Sequence, residues 1–217
     1  MSNFRIKTCV LGPVSTNCYL IYHEQTKKAL IVDPADYASR IISKCRELSL
    51  QPEAVLLTHG HFDHIMAAEE VRKEFSCKLY ASRDEEQLLL DPGRNMSVQM
   101  GNRQLSIRAD QWLVDGDVLE LGGFTWKVIA TPGHTPGSVC YYCEQEDVLI
   151  SGDTLFAESL GRTDFPGGST AAIIRSISEK LLTLPEDTMV YPGHGDPTTI
   201  SHEKKYNPVA VYLRKNR

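Results

Sequence analysis

No apolar run in the chain approaches the roughly 20 residues that a membrane-spanning helix needs. The opening residues Met1–Arg5 also lack the apolar stretch of a secretory signal. A basic surplus is missing as well. The 23 Lys and Arg stand against 28 Asp and Glu, a net charge of −5, which argues against a nucleic-acid-binding protein. That sum leaves room for local positive charge at a site, because a bound metal ion does not enter it. There is no disulfide framework: Cys9, Cys18, Cys45, Cys77, Cys140 and Cys143 are scattered through 217 residues, a length that needs no staples. Reduced thiols and a cytoplasmic location are therefore expected. Cys140 and Cys143 have the spacing of a zinc-ribbon pair, but no second pair accompanies them. They also sit in a strand-like run, where positions three apart point to opposite faces.

What is present is ordinary globular material. Hydrophobic residues make up 41% and charged residues 24% of the chain, which excludes wholesale disorder. The length suits one domain spanning 1–217. Ile6–Leu11, Cys18–Tyr22 and Ala29–Val32 read as short strands, separated by turn residues such as Gly12-Pro13. Apolar residues at Ile41, Ile42, Cys45 and Leu48 predict a helix over Tyr37–Leu48. Ala54–Leu57 reads as a buried parallel strand, Ala67–Phe75 as a helix, Lys78–Ala81 as a strand and Asp84–Leu90 as a short helix.

Asp91–Arg108 is polar and irregular, and is read either as a lid or substrate loop or as a plain surface connection. Strands return at Val118–Leu121, Thr125–Ala130, Ser138–Tyr142 and Val148–Ser151. An amphipathic helix follows at Ala171–Leu182, then a short strand Met189–Tyr191 and a short helix His202–Tyr206, which Asn207-Pro208 should end. Two strand-rich halves, each closed by helices, predict an α/β fold with four layers in the order helix, sheet, sheet, helix.

The chemistry is concentrated in Thr58-His59-Gly60-His61-Phe62-Asp63-His64. Three imidazoles and a carboxylate placed this closely between a strand and a helix are expensive to bury unless they converge on divalent cations. The donor types suit zinc, and also iron or manganese. Gly60 is expected to let the backbone bend tightly between ligands. The same context recurs three times: the strand ending at Ala130 leads into Gly133-His134, that ending at Ser151 into Gly152-Asp153, and that ending at Tyr191 into Gly193-His194. Ligand sites in α/β sheets lie outside the carboxyl ends of strands, so these turns should face one crevice.

Taken in order, THGHFDH, GHT at His134, GDT at Asp153 and GH at His194 resemble the metallo-β-lactamase superfamily along essentially the whole chain. Asn17-Cys18-Tyr19-Leu20 and Val32-Asp33-Pro34 match the strands that open that fold. Within the superfamily the chain is most similar to the glyoxalase II, or hydroxyacylglutathione hydrolase, group. Gly161-Arg162-Thr163-Asp164-Phe165-Pro166-Gly167-Gly168 resembles its short bacterial members and also the persulfide dioxygenases. The resemblance implies a four-layer αββα sandwich of the metallo-β-lactamase type and two adjacent divalent ions. His59, His61 and His134 would hold the first, Asp63, His64 and His194 the second, and Asp153 would bridge them.

An aspartate at 153 disfavours antibiotic hydrolysis of the best-known subclass, which has cysteine there. His61 disfavours the diiron flavoprotein branch, which has glutamate. Asp33 is implied to stand behind the metal ligands, although capping the turn at Pro34 explains it equally. Full-length glyoxalase II carries a further helical domain that holds glutathione, whereas this chain runs only to Arg217. Recognition of the substrate, expected to be a small anionic thioester, then falls to Arg162, with Arg94 and Arg103 as lesser candidates. The alternative reading of Arg162 is a salt bridge to Asp164. No nucleic-acid or membrane partner is expected, and His23 and His202 are expected to be surface residues.

The implied reaction is hydrolysis of a thioester such as S-lactoylglutathione or a related hydroxyacyl thioester by metal-activated hydroxide. Asp63 would also orient the nucleophile as the catalytic residue, and a thiolate would leave without a strong general acid. The rivals are a mononuclear iron dioxygenase acting on glutathione persulfide, and a lactonase or phosphodiesterase on the same metal platform.

Overall fold

Alternation along the central strands decides which way each side chain points. A computed structural model describes residues 2–215; Met1 and Arg217, named above at the chain ends, lie outside the described residues. The first sheet holds six strands in spatial order: β1 (Phe4–Leu11), β2 (Thr16–His23), β3 (Lys28–Val32), β4 (Gln51–Leu56), β5 (Lys78–Ser82) and β6 (Gln111–Leu113). The first three pair antiparallel and β3 to β6 run parallel.

The second sheet contains β7 (Val118–Leu121), β8 (Phe124–Ala130), β9 (Val139–Cys143), β10 (Val148–Gly152), β13 (Met189–Pro192) and β14 (Thr198–Thr199). Its order is β14-β13-β10-β9-β8-β7. A small separate hairpin joins β11 (Leu155–Phe156) to β12 (Ser159–Leu160).

Tyr19, Ile21, Leu30, Val32, Ala54 and Leu56 point inward from the first sheet and meet Trp126, Val128, Tyr141 and Ile150 of the second. Their immediate neighbours Leu20, Ile31 and Val55 point outward, beneath Ile41, Cys45 and Val71 of the helices α1 (Ala38–Glu47) and α3 (Ala68–Phe75). This is the period-two alternation of a strand buried on both faces. On the far side, Cys140, Leu149 and Val190 lie under Ile173, Ile177 and Leu181. The result is a four-layer αββα sandwich, as the sequence predicts. Cys140 faces the outer layer and Cys143 the inner one, so strand geometry keeps the two thiols apart.

Some expectations are corrected. The helix read over Ala171–Leu182 is α-helical only as α5 (Thr170–Arg175) and continues as a π-helix over Ser176–Leu181. The strand β6 is not expected from the sequence, because three residues carry too little pattern. Pro208 does end one helix, α6 (Ile200–Tyr206), but it also opens another, α7 (Pro208–Lys215). Proline's fixed φ and missing N–H suit a first helical position, and the Asn207 side-chain oxygen accepts the Val209 N–H at 3.0 Å. No described helix is long and apolar enough to cross a membrane.

Candidate metal centre

Strand β4 ends at Leu56, and the loop after it delivers His59 and His61 before the single-turn helix α2 (Phe62–Ile65) presents Asp63 and His64. Gly60 makes no left-handed bend, and its lack of a side chain leaves room for the Leu88 side chain. A Cβ there would lie 2.6 Å from Leu88 Cδ2, and its φ is not in the positive range.

The loop is held by two buried carboxylates. Asp33 Oδ1 accepts the Thr58 N–H at 2.8 Å, while its Oδ2 accepts the Thr58 hydroxyl at 2.6 Å and His64 Nδ1–H at 2.9 Å. The proton is thereby placed on His64 Nδ1, and its Nε2 lone pair turns toward the crevice. Glu85, 1% exposed, accepts the Gly60 N–H at 2.8 Å and the Gly137 N–H at 2.7 Å. It ties the His59–His61 loop to the loop carrying His134. Burial raises the Glu85 carboxyl above the usual carboxylate range.

The other three turns arrive where expected. His134 Nδ1–H donates to the Arg162 carbonyl at 2.8 Å, leaving Nε2 facing His61 Nδ1 at 2.8 Å. Asp153 Oδ2 stands 3.5 Å from both His134 Nε2 and His194 Nε2, and its Oδ1 is 3.4 Å from His64 Nε2. His194 Nε2 is 3.2 Å from Asp63 Oδ2. A Cβ at residue 193 would overlap Asp153 Oδ1, so glycine is required for the two turns to approach this closely.

All seven residues read from the sequence therefore meet. Potential ligand atoms lie within 4.8 Å of one another in the trios His59/His61/His134, His59/His64/Asp153 and Asp63/His64/His194.

Three atoms test whether a cation fits. His59 Nε2, His64 Nε2 and Asp153 Oδ1 are buried and have no hydrogen-bond partner. Leaving such groups unpaired costs about 1–3 kcal/mol each, and a divalent cation accepts all of these donor types. The electrostatics agree. Burial holds His59 and His61 well below the usual imidazole range, His61 at about 3, with neighbouring imidazoles adding to the effect. Burial also opposes charge on His64 and His194, but the surrounding aspartates outweigh it and raise both, His194 to about 9. Asp63 and Asp153 are likewise opposed by burial yet carried downward, chiefly by His64. Neutral His59 and His61 and the ionised Asp63 and Asp153 thus offer lone pairs to one space, and a cation there would take the place of the protons that the aspartates hold on His64 and His194.

The expected anion anchor is already paired. Arg162 Nε and Nη2 each donate to Asp164 at 2.7 Å, and the guanidinium lies 4.0 Å over the Phe165 ring. These hydrogen bonds lower the Asp164 carboxyl to about 2. Arg94 pairs with Asp91 and Gln87, and lines a different hollow with Arg83 and Pro166; Arg103 lines a third, beside Tyr37 and Glu70. Neither lines the cavity before the histidines. That cavity is instead shaped by the Asp91–Arg108 segment, pinned by buried Asn95 and Ser97, which contributes Met96 and Met100.

His202 pairs with Glu158 at 3.0 Å, and His23 is part-exposed, so both stand apart from the cluster. Nothing in the sequence pattern marks Thr16 or Glu85 as part of the site. Thr16 donates its hydroxyl to Asp63 Oδ2 at 3.0 Å, and only folding brings it there. Asn17 secures the last turn, its side-chain amide donating to the carbonyls of Pro192 and Gly195 at 3.0 and 2.9 Å.

A model of the metallo-beta-lactamase superfamily matches residues 11–194. The chain belongs to that superfamily. It is 40% identical over 199 residues to the probable metallo-hydrolase YqgX of Bacillus subtilis, covering 91% of this chain and 93% of that one. It is 37% identical over 194 residues to the hydroxyacylglutathione hydrolase GloC of Haemophilus influenzae, covering 88% and 91%. Among solved structures, the BLEG-1 B3 metallo-beta-lactamase is 44% identical with a TM-score of 0.90, covering 95% of this chain and all of that one. TTHA1623 in a di-iron-bound form is 32% identical with a TM-score of 0.82, covering 93% and 98%. These relatives identify a metal-dependent hydrolase of the superfamily, and its substrate is left to the site itself.

Proposed function

We propose that this metallo-β-lactamase-fold chain is a dinuclear-metal hydrolase that cleaves a thioester, with S-lactoylglutathione and related hydroxyacyl thioesters as the class. The supporting observation is the position of Asp153, whose Oδ2 stands at one distance, 3.5 Å, from His134 of one trio and His194 of the other. A single carboxylate between two ligand sets is the arrangement a bridged pair of cations uses. His59, His61 and His134 would hold one ion and Asp63, His64 and His194 the other. Zinc is the proposed metal, and iron or manganese would accept the same donors. The di-iron form of TTHA1623 supports a two-ion reading, and the name of GloC supports a thioester substrate.

When bound, the ions would supply Lewis acidity to the scissile carbonyl and lower the pKa of water. The chain's own residues do the rest. Asp63 is oriented by the Thr16 hydroxyl and can accept a proton or hydrogen bond from the attacking water. Asp33 and the Arg162 carbonyl hold the tautomers of His64 and His134. Met96, Met100 and Phe165 line the approach with apolar side chains. A thiolate needs no strong general acid to leave, and the cavity lining offers none beyond the ligand cluster.

The test is anaerobic purification with metal quantification, followed by turnover of S-lactoylglutathione, lactones and glutathione persulfide. Two divalent ions per chain and thioester hydrolysis are expected. One iron per chain with oxygen uptake on persulfide would replace this reading with the dioxygenase one. In Asp153→Ala both sites should lose metal, and a stoichiometry that stays at two would remove the bridge.

A further inference from the structure

The cavity before the histidine cluster, about 450 Å³ in volume, has two walls of different origin. Phe156, Leu160, Arg162 and Phe165 follow strand β10 of the second sheet, and Arg162 is the one basic side chain of the lining besides the histidines. Val14, Met96 and Met100 come from connections of the first sheet, Val14 between β1 and β2 and the methionines between β5 and β6. These three side chains carry no charge and no hydrogen-bond donor. An anionic thiol carrier finds its counter-charge on the second-sheet wall, where Asp164 takes only Nε and Nη2 of Arg162. The acyl group is then left to the apolar wall.

Met96 stands on that wall in an unusual conformation. Its φ is 66°, in the left-handed region that strains any residue with a Cβ. Its neighbours impose it. Asn95 and Ser97 are fully buried, and Asn95 Oδ1 accepts the Ser97 N–H at 3.0 Å across Met96. The Asn95 amide donates to the Leu105 carbonyl at 2.8 Å, and Ser97 Oγ accepts the Leu105 N–H at 3.0 Å. The Asn95 carbonyl accepts the Phe62 N–H at 2.8 Å, which fastens this turn to the helix α2 that carries Asp63. Glycine or asparagine would occupy such a turn with less strain. Of the described non-glycine residues with positive φ, Met96 alone has a side chain without nitrogen or oxygen, and Met96 alone lines the cavity. The turn has no use for methionine, so its side chain must.

We infer that Met96 is a specificity-determining residue, whose left-handed backbone sets the thioether as an end wall that limits the acyl group to small ones such as lactoyl. The inference rests on the thioester-hydrolase reading and assigns its acyl selectivity to one side chain.

S-lactoylglutathione and S-hexanoylglutathione share a carrier and differ in acyl length, so their ratio in kcat/KM on the metal-loaded enzyme reads the wall. Met96→Ala and Met96→Gly should each raise the hexanoyl-to-lactoyl ratio by about threefold or more, since each extra methylene buried is worth roughly fourfold. Met96→Leu, which restores the bulk, should keep the parent ratio, and all three variants should keep the parent metal content. The glycine variant should melt about 2–4 °C above the alanine variant, because both lose the side chain and only glycine sheds the strain. An unchanged ratio in both truncations would overturn the inference and leave the hydrolase reading standing. Equal melting of the two would overturn the strained placement. Failure of the parent to hydrolyse either thioester would remove the thioester reading and the inference with it.

Discussion

Asp33 has three donors on one carboxylate, and none of its atoms faces the crevice. Its two oxygens take the Thr58 N–H, the Thr58 hydroxyl and His64 Nδ1–H. In Asp33→Asn an amide NH₂ would confront one of those donors, and the His64 ring would lose its fixed orientation. Such partners behind a ligand typically contribute 10–100-fold in metal affinity. The variant should therefore fall by roughly that factor in competition with a chromophoric chelator, and parent-like affinity would show that Asp33 only shapes the turn at Pro34. Glu85 poses the same problem without touching a histidine. Both its oxygens receive backbone N–H groups, so Glu85→Gln must leave one buried donor opposite another. A cost of about 1–3 kcal/mol is expected, read as a lowered melting temperature. Metal release should occur at a lower chelator concentration, because the loops of His61 and His134 are no longer fastened together.

At the level of elements, the helix covering the second sheet supports the His134 turn directly. The Ser169 N–H donates to the Gly133 carbonyl at 2.8 Å, and the Ser176 hydroxyl donates to the Pro132 carbonyl at 2.8 Å. The switch to π-helical winding at Ser176 falls at the residue that makes this second contact. Ile177, the next residue, is fully buried against the second sheet. Ile177→Ala should cost about 2–5 kcal/mol by loss of buried volume, measured from the denaturant midpoint at constant m-value. His59 and His64 sit on the other sheet's loops and should keep their metal, so a variant that empties every site while still folded would contradict this division.

Across the whole molecule, the metal-free cluster sets a pH optimum for stability. His61 falls to about 3 from an ordinary value of 6.5, and His59 moves the same way. Between those values the unfolded chain binds more protons than the folded one, so stability is lost as pH falls below 6.5. His194 rises from 6.5 to about 9, and His64 also rises. Their contribution is fully present below 6.5 and disappears as pH climbs toward 9. The chelator-stripped chain should therefore melt highest near pH 6.5, with its midpoint falling on both sides. A midpoint that climbs steadily from pH 6.5 to 9 would contradict the raised His194.

Much of this was legible in the chain. The apolar runs Cys18–Tyr22 and Ala29–Val32 read as strands, and two strand-rich halves, each closed by helices, predict four layers. Four strand ends followed by glycine and a ligand-type residue predict one crevice, because parallel neighbours place their carboxyl ends together. Short or composite elements were not legible. Gln111–Leu113 is too brief to show a period, and the π turn at Ser176–Leu181 keeps the same apolar residues as an α-helix would.

The one-dimensional pattern thus determined the donor set and the architecture, since both depend on residue type and local spacing. Tertiary structure alone decided which side chains stand behind the donors and what meets the substrate. Thr16 reaches Asp63 across 47 positions, and Glu85 joins backbone groups 25 and 52 positions away. Arg162 could have pointed a free charge into the cavity, but the folded loop sets Asp164 in its fork and Phe165 beneath it. A charge and its nearest partner are fixed by distance in space, and spacing along the chain does not contain that distance.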